Sequence, residues 1–352
     1  MAFNPNTEEI SKKVCKRERV FRDRSNPLDD LDDHDIIERY RLSRHMIFSI
    51  IGKVSDRLEH QTQRSHAIPP YLNVLIALRY FSKGGFYSEI ADIHGVSKSS
   101  VCRAIHATTD ALCATMGDFV FPTMPSTQKS TKESFFDIAG FPKVLGAIDC
   151  TLVPIMAPKR DEVAYVCRKG YHALNIQAVC DANMRFTNCV FKWPGSVHDS
   201  YIWNNSALGQ YFEKKNIDGW LLGDSGYACR PWLLTPVLNP SSEGQEKYNR
   251  CHIKTRNTIE RAFGLCKSRF RCLHKTTGVL QFTPERSLCV VRACFLLHNM
   301  CIHERIPLPQ GIELLRGEGT ATELPCAADF PTTSSGCDGL SARHQLILHK
   351  FT

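Results

Sequence analysis

The sequence predicts an α/β protein with a mixed β-sheet flanked by helices, preceded by an N-terminal all-α domain that contains a helix-turn-helix. Apolar, β-prone runs bounded by turn residues fall between residues 145 and 226, and the segments on either side repeat apolar residues at helical spacing. With 352 residues and 43% hydrophobic content, the chain can bury a large core. We expect a weakly ordered charged leader (1–35), a helical domain (36–125), an α/β domain (140–305), a flexible tail (306–340) and a short terminal helix (341–352).

Composition limits where the chain can function. No apolar run reaches the roughly 18 residues needed to span a bilayer, and the N-terminus lacks the apolar core of a signal peptide, so we expect a soluble intracellular protein with no membrane partner. The sixteen cysteines include no Cys-x-x-Cys pair and lie mostly in apolar segments, which is typical of reduced core thiols. His298, Cys301 and His303 suggest zinc only weakly, because their apolar helical run has no second ligand pair.

Positive charge is concentrated in two places. The net charge is +8, and nine basic residues against one acid lie between Lys247 and Lys275, which favours a polyanionic partner. Residues 12–24 hold seven basic side chains and two acids, and five aspartates follow between Asp29 and Asp35. We interpret this leader as a solvated, weakly ordered segment, with a nuclear import signal as the alternative.

The helical domain is predicted from its caps and turns. Ser43 can cap a helix whose apolar residues recur at spacings of three and four, and a second helix is predicted at about 71–81. The next stretch fits a helix-turn-helix. Ala91 is small enough for crossing helices, Gly95 tolerates a left-handed turn, and Ser97 can cap the second helix of the unit.

Two interpretations of this two-helix unit stay open. If it binds DNA, its second helix presents polar side chains to a groove or to phosphates, namely Lys98, Ser99, Arg103 and His106. The alternative is a helical corner inside a bundle. In both cases, Ile90 and Ile93 of the first helix are expected to be apolar contacts.

The α/β domain follows an expected linker at 122–132 and opens with an apolar strand at 145–154. Asp149 lies near the middle of this strand, where a carboxylate is costly unless a positive charge compensates it. Strands at 172–180 and 185–193 are expected to form an antiparallel hairpin, because turn residues separate them.

Two further acids precede the last part of the domain. A helix is expected from Ser196 to about Phe212, and Asp199 lies three residues after Ser196. Asp199 therefore either completes a capping box or contributes to a metal or substrate site. A buried strand then ends at Asp224. A strand, helix, strand succession usually makes the new strand parallel to the first, which places Asp224 near Asp149.

An amphipathic helix is predicted at 256–273, and another from Pro284. The first has a buried face at spacings of four and three, and Glu260, Lys267 and Arg271 share the adjacent polar face. The simple interpretation pairs Glu260 with Arg256 one turn earlier.

The alternative brings Glu260 to Asp149 and Asp224. Three converging carboxylates repel one another, and such a cluster is tolerable if it binds divalent cations. Two Mg²⁺ ions about 4 Å apart can activate a water and stabilise the leaving oxygen of a phosphodiester, while Lys267 and Arg271 hold the polyanion beside them.

This order of elements and acids resembles the ribonuclease H-like fold of DDE transposases and integrases. The resemblance is more specific to the PIF/Harbinger family, including its domesticated, transposase-derived members, and covers roughly residues 36–304. It rests on blocks in fixed order: QRSHAIPP, LGAIDCT, RKGYHALNIQAVCD, WPGSVHDS, WLLGDSGY with LLTP, and IERAFGLCKSRFRCL.

The resemblance implies that Asp149, Asp224 and Glu260 form a catalytic triad that binds Mg²⁺ or Mn²⁺, with Asp199 as a fourth metal-contacting acid. The 35 residues between Asp224 and Glu260 fit the family pattern. It also implies a DNA substrate, further copies of the chain as partners, and a Myb-like DNA-binding protein that aids nuclear entry. Nucleus and cytoplasm are the expected locations. The four tryptophans all lie between residues 193 and 232, outside any tryptophan-repeat module.

The resulting expectation is a divalent-metal-dependent DNA nuclease of transposase descent, without autonomous transposition. Two alternatives stay open at this point. One is a catalytically silent adaptor that keeps the DNA-binding and partner-binding surfaces, and the other is a nuclease of the same fold that acts on RNA.

Overall fold

A computed structural model describes residues 26–59, 67–215, 217–312 and 334–352 of the chain. The helices before the sheet are α1 (Pro27–Asp30), α2 (Asp33–Tyr40), α3 (Arg44–Leu58), α4 (Pro70–Lys83), α5 (Tyr87–Ile93), α6 (Lys98–Thr115) and α7 (Pro125–Ala139). The elements that follow are β1 (Val144–Pro154), α8 (Glu162–Tyr165), β2 (Ala173–Cys180), β3 (Phe186–Pro194), α9 (Asp199–Asn204), α10 (Ala207–Lys214), β4 (Trp220–Leu222), β5 (Leu233–Leu234), α11 (Glu243–Arg269), α12 (Pro284–His303) and α13 (Ser334–Lys350). None of these helices is long and apolar enough to cross a membrane.

The five strands of the described residues form one mixed sheet in the order β3-β2-β1-β4-β5. β1 pairs antiparallel with β2, and β2 with β3, while β4 runs parallel to β1. The predicted mixed sheet, its hairpin and its parallel strand are therefore confirmed. β5 is only two residues long, too short for the period-2 pattern by which a strand is recognised in sequence.

Alternation along β1 decides which way Asp149 faces. Ala147 and Val153 lie on the same side of the strand as Asp149, and both are buried in the cluster that includes the apolar face of α11. Ile148 points to the opposite side, into a second cluster with residues of α9 and α10. Asp149 is thus presented to α11.

The N-terminal helices pack against the same core. α5 and α6 are joined by a turn in which Gly95 has a φ of 60°, and Ser97 Oγ accepts a hydrogen bond from the Ser100 amide at 3.1 Å. Ile90 is buried, but Ile93 is 52% exposed, because it lies on the outer side of the short helix. α6 runs along α12, where Cys113 Sγ donates to the Cys289 carbonyl at 3.5 Å. The two-helix unit therefore sits in a bundle, whatever its outer side binds.

Several predicted boundaries need correction. Within the expected leader, residues 27–30 form α1 and residues 33–35 begin α2, with Asn26 and Asp32 as N-caps, while residues 1–25 lie outside the described part. Residues 125–132 of the expected linker belong to α7, a helix in which Thr131 and Ser134 donate to carbonyls one turn earlier. The hydroxyls therefore stay satisfied inside the helix.

The C-terminal half shows similar differences. The expected helix at 196–212 is two helices, α9 and α10, because Ser206 caps a new start. α11 begins thirteen residues earlier than predicted, with Ser242 as its N-cap, and ends before Arg271. The terminal helix starts at Ser334 rather than 341, so the end of the expected tail is helical, and residues 313–333 lie outside the described part.

Candidate active site

Asp149 is held in the middle of β1 and is compensated by a positive charge. Its Oδ1 accepts a hydrogen bond from the Cys150 amide at 2.7 Å, and its Oδ2 accepts one from Arg256 Nη1 at 3.0 Å. The side chains of Asp149 and Arg256 are only 13% and 14% exposed. The free-energy cost of burying this carboxylate in an apolar strand is therefore offset by an arginine from α11.

The same arginine also holds Glu260. Arg256 Nη2 donates to Glu260 Oε1 one turn later on α11, so one guanidinium joins two acids that lie far apart in the sequence. The interpretation that pairs Glu260 with Arg256 is confirmed. The pairing does not remove Glu260 from the cluster, because Arg256 bonds to Asp149 at the same time.

Asp224 lies two residues beyond β4, in a turn of its own. Its Oδ1 accepts a hydrogen bond from the Gly226 amide at 3.0 Å. β4 is parallel to β1 and adjacent to it, which brings the end of β4 to the middle of β1. As a result, the charge of Asp224 raises the pKa of Asp149.

Asp199 is the first residue of α9 and does not complete a capping box with Ser196. The N-cap is His198, whose side chain makes no capping hydrogen bond, and Ser196 lies before the helix. Asp199 Oδ1 instead accepts a hydrogen bond from Asn175 Nδ2 at 3.0 Å. Asn175 on β2 also donates to the Val197 carbonyl at 2.8 Å, so the sheet fixes both the loop and the acid.

The charges of these acids act on one another and on Arg256. The pKa of Asp149 is raised to about 7, mainly by burial, with Asp224 and Asp199 adding to the rise and the charge of Arg256 opposing it. Burial, and then the charge of Asp199, also raises the pKa of Asp224, while Arg256 opposes the shift. For Arg256, burial lowers the pKa, but Asp149, Glu260 and Asp224 together raise it above its usual value. The cluster carries more negative charge than one arginine neutralises.

A buried polar layer adjoins Asp199, and sequence reasoning did not identify it. Gln177 Nε2 donates to Tyr227 Oη at 3.1 Å and to the Asp199 carbonyl at 3.2 Å. Cys150 Sγ lies 3.5 Å from Tyr227 Oη. The signal in the sequence is the pair Asn175 and Gln177, two amides inside the otherwise apolar strand 172–180. Each amide supports an acid or its backbone.

The predicted DNA-contacting residues differ in accessibility. Lys98, Ser99 and Arg103 are exposed on the first two turns of α6. Lys267 is only 5% exposed, and its Nζ donates to the Leu152 carbonyl at 2.8 Å. A buried amino group cannot reach a phosphate without leaving this carbonyl, so DNA contact at Lys267 is not favoured. Arg271 lies beyond the end of α11 and is half-buried.

The carboxylate oxygens of the four acids are the candidate metal ligands. Carboxylate oxygens are the ligands that Mg²⁺ and Mn²⁺ prefer, and the excess negative charge of the cluster fits such a cation. Within the described ranges, one group of three candidate side chains has donor atoms all within 4.8 Å of one another, namely Asp32, His34 and Asp35, and two of these three are exposed. The weakly suggested zinc ligands do not form such a group there.

The mixed sheet and its flanking helices are consistent with the fold of the DDE nuclease superfamily. A family model described as "DDE superfamily endonuclease" matches residues 148–299, which include all four acids. No solved structure matches the chain.

Curated relatives extend the match to most of the chain. It is 35% identical over 329 residues to "Putative nuclease HARBI1" of Rattus norvegicus, which covers 92% of this chain and 93% of the relative. The protein of the same name in Homo sapiens is 37% identical over 277 residues, covering 78% and 79%. "Protein ALP1-like" of Arabidopsis thaliana is 29% identical over 259 residues, covering 68% and 62%. The chain therefore belongs to the family of Harbinger-transposase-derived nucleases, as the resemblance implies.

Proposed function

We propose that this chain is a divalent-metal-dependent nuclease that hydrolyses DNA phosphodiester bonds and does not transpose on its own. The observation that carries the proposal is the convergence of acids from separate elements. Asp149 from β1 and Glu260 from α11 bind one arginine, and Asp224 from the β4 turn raises the pKa of Asp149. Family membership supports the reaction class, because relatives of this chain carry the name "Putative nuclease HARBI1".

The proposed metal ligands are Asp149, Asp224 and Glu260, with Asp199 as a fourth. When bound, Mg²⁺ or Mn²⁺ supplies Lewis-acid stabilisation of the phosphate and an activated water. The protein contributes rigid positions for the acids. β1 fixes Asp149, and Asn175 holds Asp199 from the neighbouring strand. Rigid ligands matter because a displacement of about 1 Å at a catalytic group can cost about 100-fold in rate.

The proposed DNA contacts are Lys98, Ser99 and Arg103 at the start of α6. Their exposure supports this assignment, as does the turn before α6, which leaves the first two turns of that helix accessible. Neutralising Lys98 and Arg103 together should lower the salt dependence of DNA binding by about two phosphate contacts, at roughly 0.9 per contact in the log–log slope. An unchanged slope would exclude them as phosphate contacts.

We also propose a Myb-like DNA-binding partner, self-association, and residence in both nucleus and cytoplasm. The support for the partner is compositional, because this chain has no tryptophan-repeat module within its own sequence. Co-purification of the chain with such a partner, and sedimentation of the chain alone, test the two interactions separately.

A second candidate function is a catalytically silent adaptor, and one observation favours it. Arg256 neutralises two of the proposed ligands by direct ion pairs. An arginine that stayed between Asp149 and Glu260 would occupy the place of a cation. The chain would then retain its surfaces for DNA and partner proteins without cleaving.

A cleavage assay on labelled duplex DNA separates the two functions. The wild type, Asp149→Ala and Glu260→Ala are compared in Mg²⁺, Mn²⁺ and EDTA, with Glu246→Ala as the control, since Glu246 is an exposed acid on the same helix. We expect cleavage only with metal. Asp149→Ala and Glu260→Ala should lower the cleavage rate at least 100-fold, and Glu246→Ala should leave it unchanged. Equal residual cleavage in every protein would exclude the triad. Binding without cleavage by the wild type would support the adaptor.

A further inference from the structure

Four basic side chains gather where three helical segments meet, away from the carboxylates. Arg41 follows α2 directly, Arg79 and Lys83 lie one turn apart near the end of α4, and Arg271 follows α11. We name Arg41, Arg79, Lys83 and Arg271 the junction cluster. It joins the N-terminal helices to the helix that carries Glu260.

Hydrogen bonds to main-chain carbonyls fix the position of the junction cluster. Ser82 Oγ, on α4, donates to the Arg39 carbonyl at 2.8 Å. Arg269 Nη1, at the end of α11, donates to the Arg41 carbonyl at 3.2 Å. The three segments are therefore tied to one another beside the four cations, and the cluster sits on fixed backbone rather than on a free loop.

The positive charge of the cluster is not balanced by ion pairs. None of its four side chains lies within 4.0 Å of a carboxylate in the part of the chain that the structure describes. Burial, and then repulsion by Arg79, lowers the pKa of Arg41 to about 10. Burial, followed by repulsion from Arg41 and Arg79, lowers the pKa of Lys83, and Glu38 opposes both shifts. Two acids, Glu38 and Glu89, thus face several mutually repelling cations.

Internal hydrogen bonds account for only part of this charge. Arg41 is 1% exposed and donates through Nη1 to the Glu38 carbonyl, but its buried Nε has no partner among the described residues. Arg79 Nη1 makes one long bond of 3.4 Å to the Arg39 carbonyl. The side chains of Lys83 and Arg271 donate no hydrogen bond within the described ranges, and Lys83 is exposed.

Helix-end electrostatics explain some of these residues but not all. Cations are favourable near the negative C-terminal end of a helix, which suits Arg41 after α2 and Lys83 in the last turn of α4. The effect falls off within the last turn. It does not explain Arg79, one turn earlier.

We infer that the junction cluster is a phosphate-binding site that takes a backbone phosphate of duplex DNA. Lys83, Arg79 and Arg271 would contact the phosphate, and Arg41 lies behind them. This inference rests on the proposed function for the identity of the ligand. Glu260 lies nine residues before Arg269, where α11 ends, or about 14 Å along the helix at 1.5 Å per residue, and Arg271 follows two residues later. Fourteen ångströms is about four base pairs at 3.4 Å per step, well within the length of one duplex.

The test measures DNA binding without cleavage. Fluorescence anisotropy of a labelled 30-base-pair duplex is recorded in EDTA from 50 to 200 mM KCl, for the wild type and the double variant Lys83→Gln/Arg271→Gln. The control Lys129→Gln/Lys350→Gln removes the same charge from exposed positions on α7 and α13. We expect the log–log salt slope of the cluster variant to fall by about 1.8, at roughly 0.9 per lost contact, and that of the control to stay near the wild type.

Further arms keep the outcomes distinct. Lys83→Arg/Arg271→Lys keeps the charge and should keep the wild-type slope, which separates charge from folding. An unchanged slope in the glutamine variant, or no binding by the wild type, overturns the inference. If inorganic phosphate raises the melting temperature of the wild type only, while the DNA slopes agree, the site takes small anions and the DNA assignment is wrong. A slope change without metal-dependent cleavage supports the site and contradicts the nuclease.

Discussion

Replacing Arg256 with glutamine is the sharpest test of how the candidate site is held together. The substitution removes the cation that binds both Asp149 and Glu260, at positions where the Asp149 and Arg256 side chains are only 13% and 14% exposed. Removing one partner of a buried ion pair typically costs about 3–5 kcal/mol, because the other charge stays buried without compensation. At about 2–4 °C per kcal/mol, the melting temperature should fall by roughly 6–20 °C in EDTA.

The penalty should depend on pH and on added cation. Burial already raises the pKa of Asp149 to about 7 while Arg256 opposes the shift, so the pKa rises further in the variant. Below a pH of about 7 the carboxyl group of Asp149 is mostly neutral in both proteins, so the destabilisation should be small at pH 6 and should grow as pH rises above 7. Mg²⁺ should restore more stability to the variant than it adds to the wild type, because no arginine then competes for Glu260.

α11 supplies a matched control for this experiment. Arg250 pairs with Glu246 across the same one-turn spacing at 3.6 Å, but both side chains are more than half exposed. Exposed pairs of this kind contribute about 0–1 kcal/mol, so Arg250→Gln should shift the melting temperature by no more than roughly 4 °C. Thermal denaturation followed by circular dichroism gives all of these values. If Arg256→Gln in EDTA melts like Arg250→Gln, Arg256 does not hold the acids together.

The remaining predictions concern stability. Burial lowers the pKa of His298 to about 4, so its contribution to stability is complete above its unfolded pKa of 6.5 and is lost as pH falls toward 4. In thermal melts, His298→Gln should reduce the fall in melting temperature between these pH values, and His349→Gln, at an exposed position, should not. Arg343 of α13 donates to main-chain carbonyls after β5 at 3.1 and 2.9 Å. Arg343→Ala should therefore lower the free energy of unfolding in urea by about 1–3 kcal/mol, and an unchanged free energy would show that these bonds do not hold α13 in place. A Cβ on Gly339 would collide with the backbone at Cys229, so Gly339→Ala should free α13, seen as faster amide exchange there, and unchanged exchange would contradict the packing.

The parts of the fold that sequence reasoning anticipated are those with strong local patterns. The strand around Asp149, the hairpin and the helix with Glu260 have regular periodicity or clear turns, and tertiary packing agrees with these local preferences. The proximity of Asp224 to Asp149 was also predictable, because it follows from a topological rule about parallel strands rather than from propensity.

The errors occurred where side chains satisfy the backbone in ways that composition conceals. In α7, serine and threonine hydroxyls bond to carbonyls one turn earlier, so a stretch with the composition of a linker is helical. Lys267 lies on a face that looked polar, but its long side chain reaches the Leu152 carbonyl from the margin of the core. Neither contact leaves a signal in the local pattern. The dual role of Arg256 was missed for a related reason, since only the Glu260 half of its pairing is local.

The lone pairs that remain on the acids determine at which of them Arg256 competes with a bound cation. Asp224 Oδ1 bonds to its own turn, and its Oδ2 receives no hydrogen bond from the residues that the structure describes. Each oxygen of Asp149 accepts one hydrogen bond and keeps a second lone pair. A cation at Asp149 and Asp224 is therefore compatible with Arg256 in place, whereas a cation at Glu260 competes with it directly. The nuclease proposal requires Arg256 to give way at Glu260, and the adaptor proposal requires it to stay. Metal titration of the wild type and Arg256→Gln distinguishes them, because two equivalents bound by both proteins supports the nuclease, and a second equivalent bound only by the variant supports the adaptor.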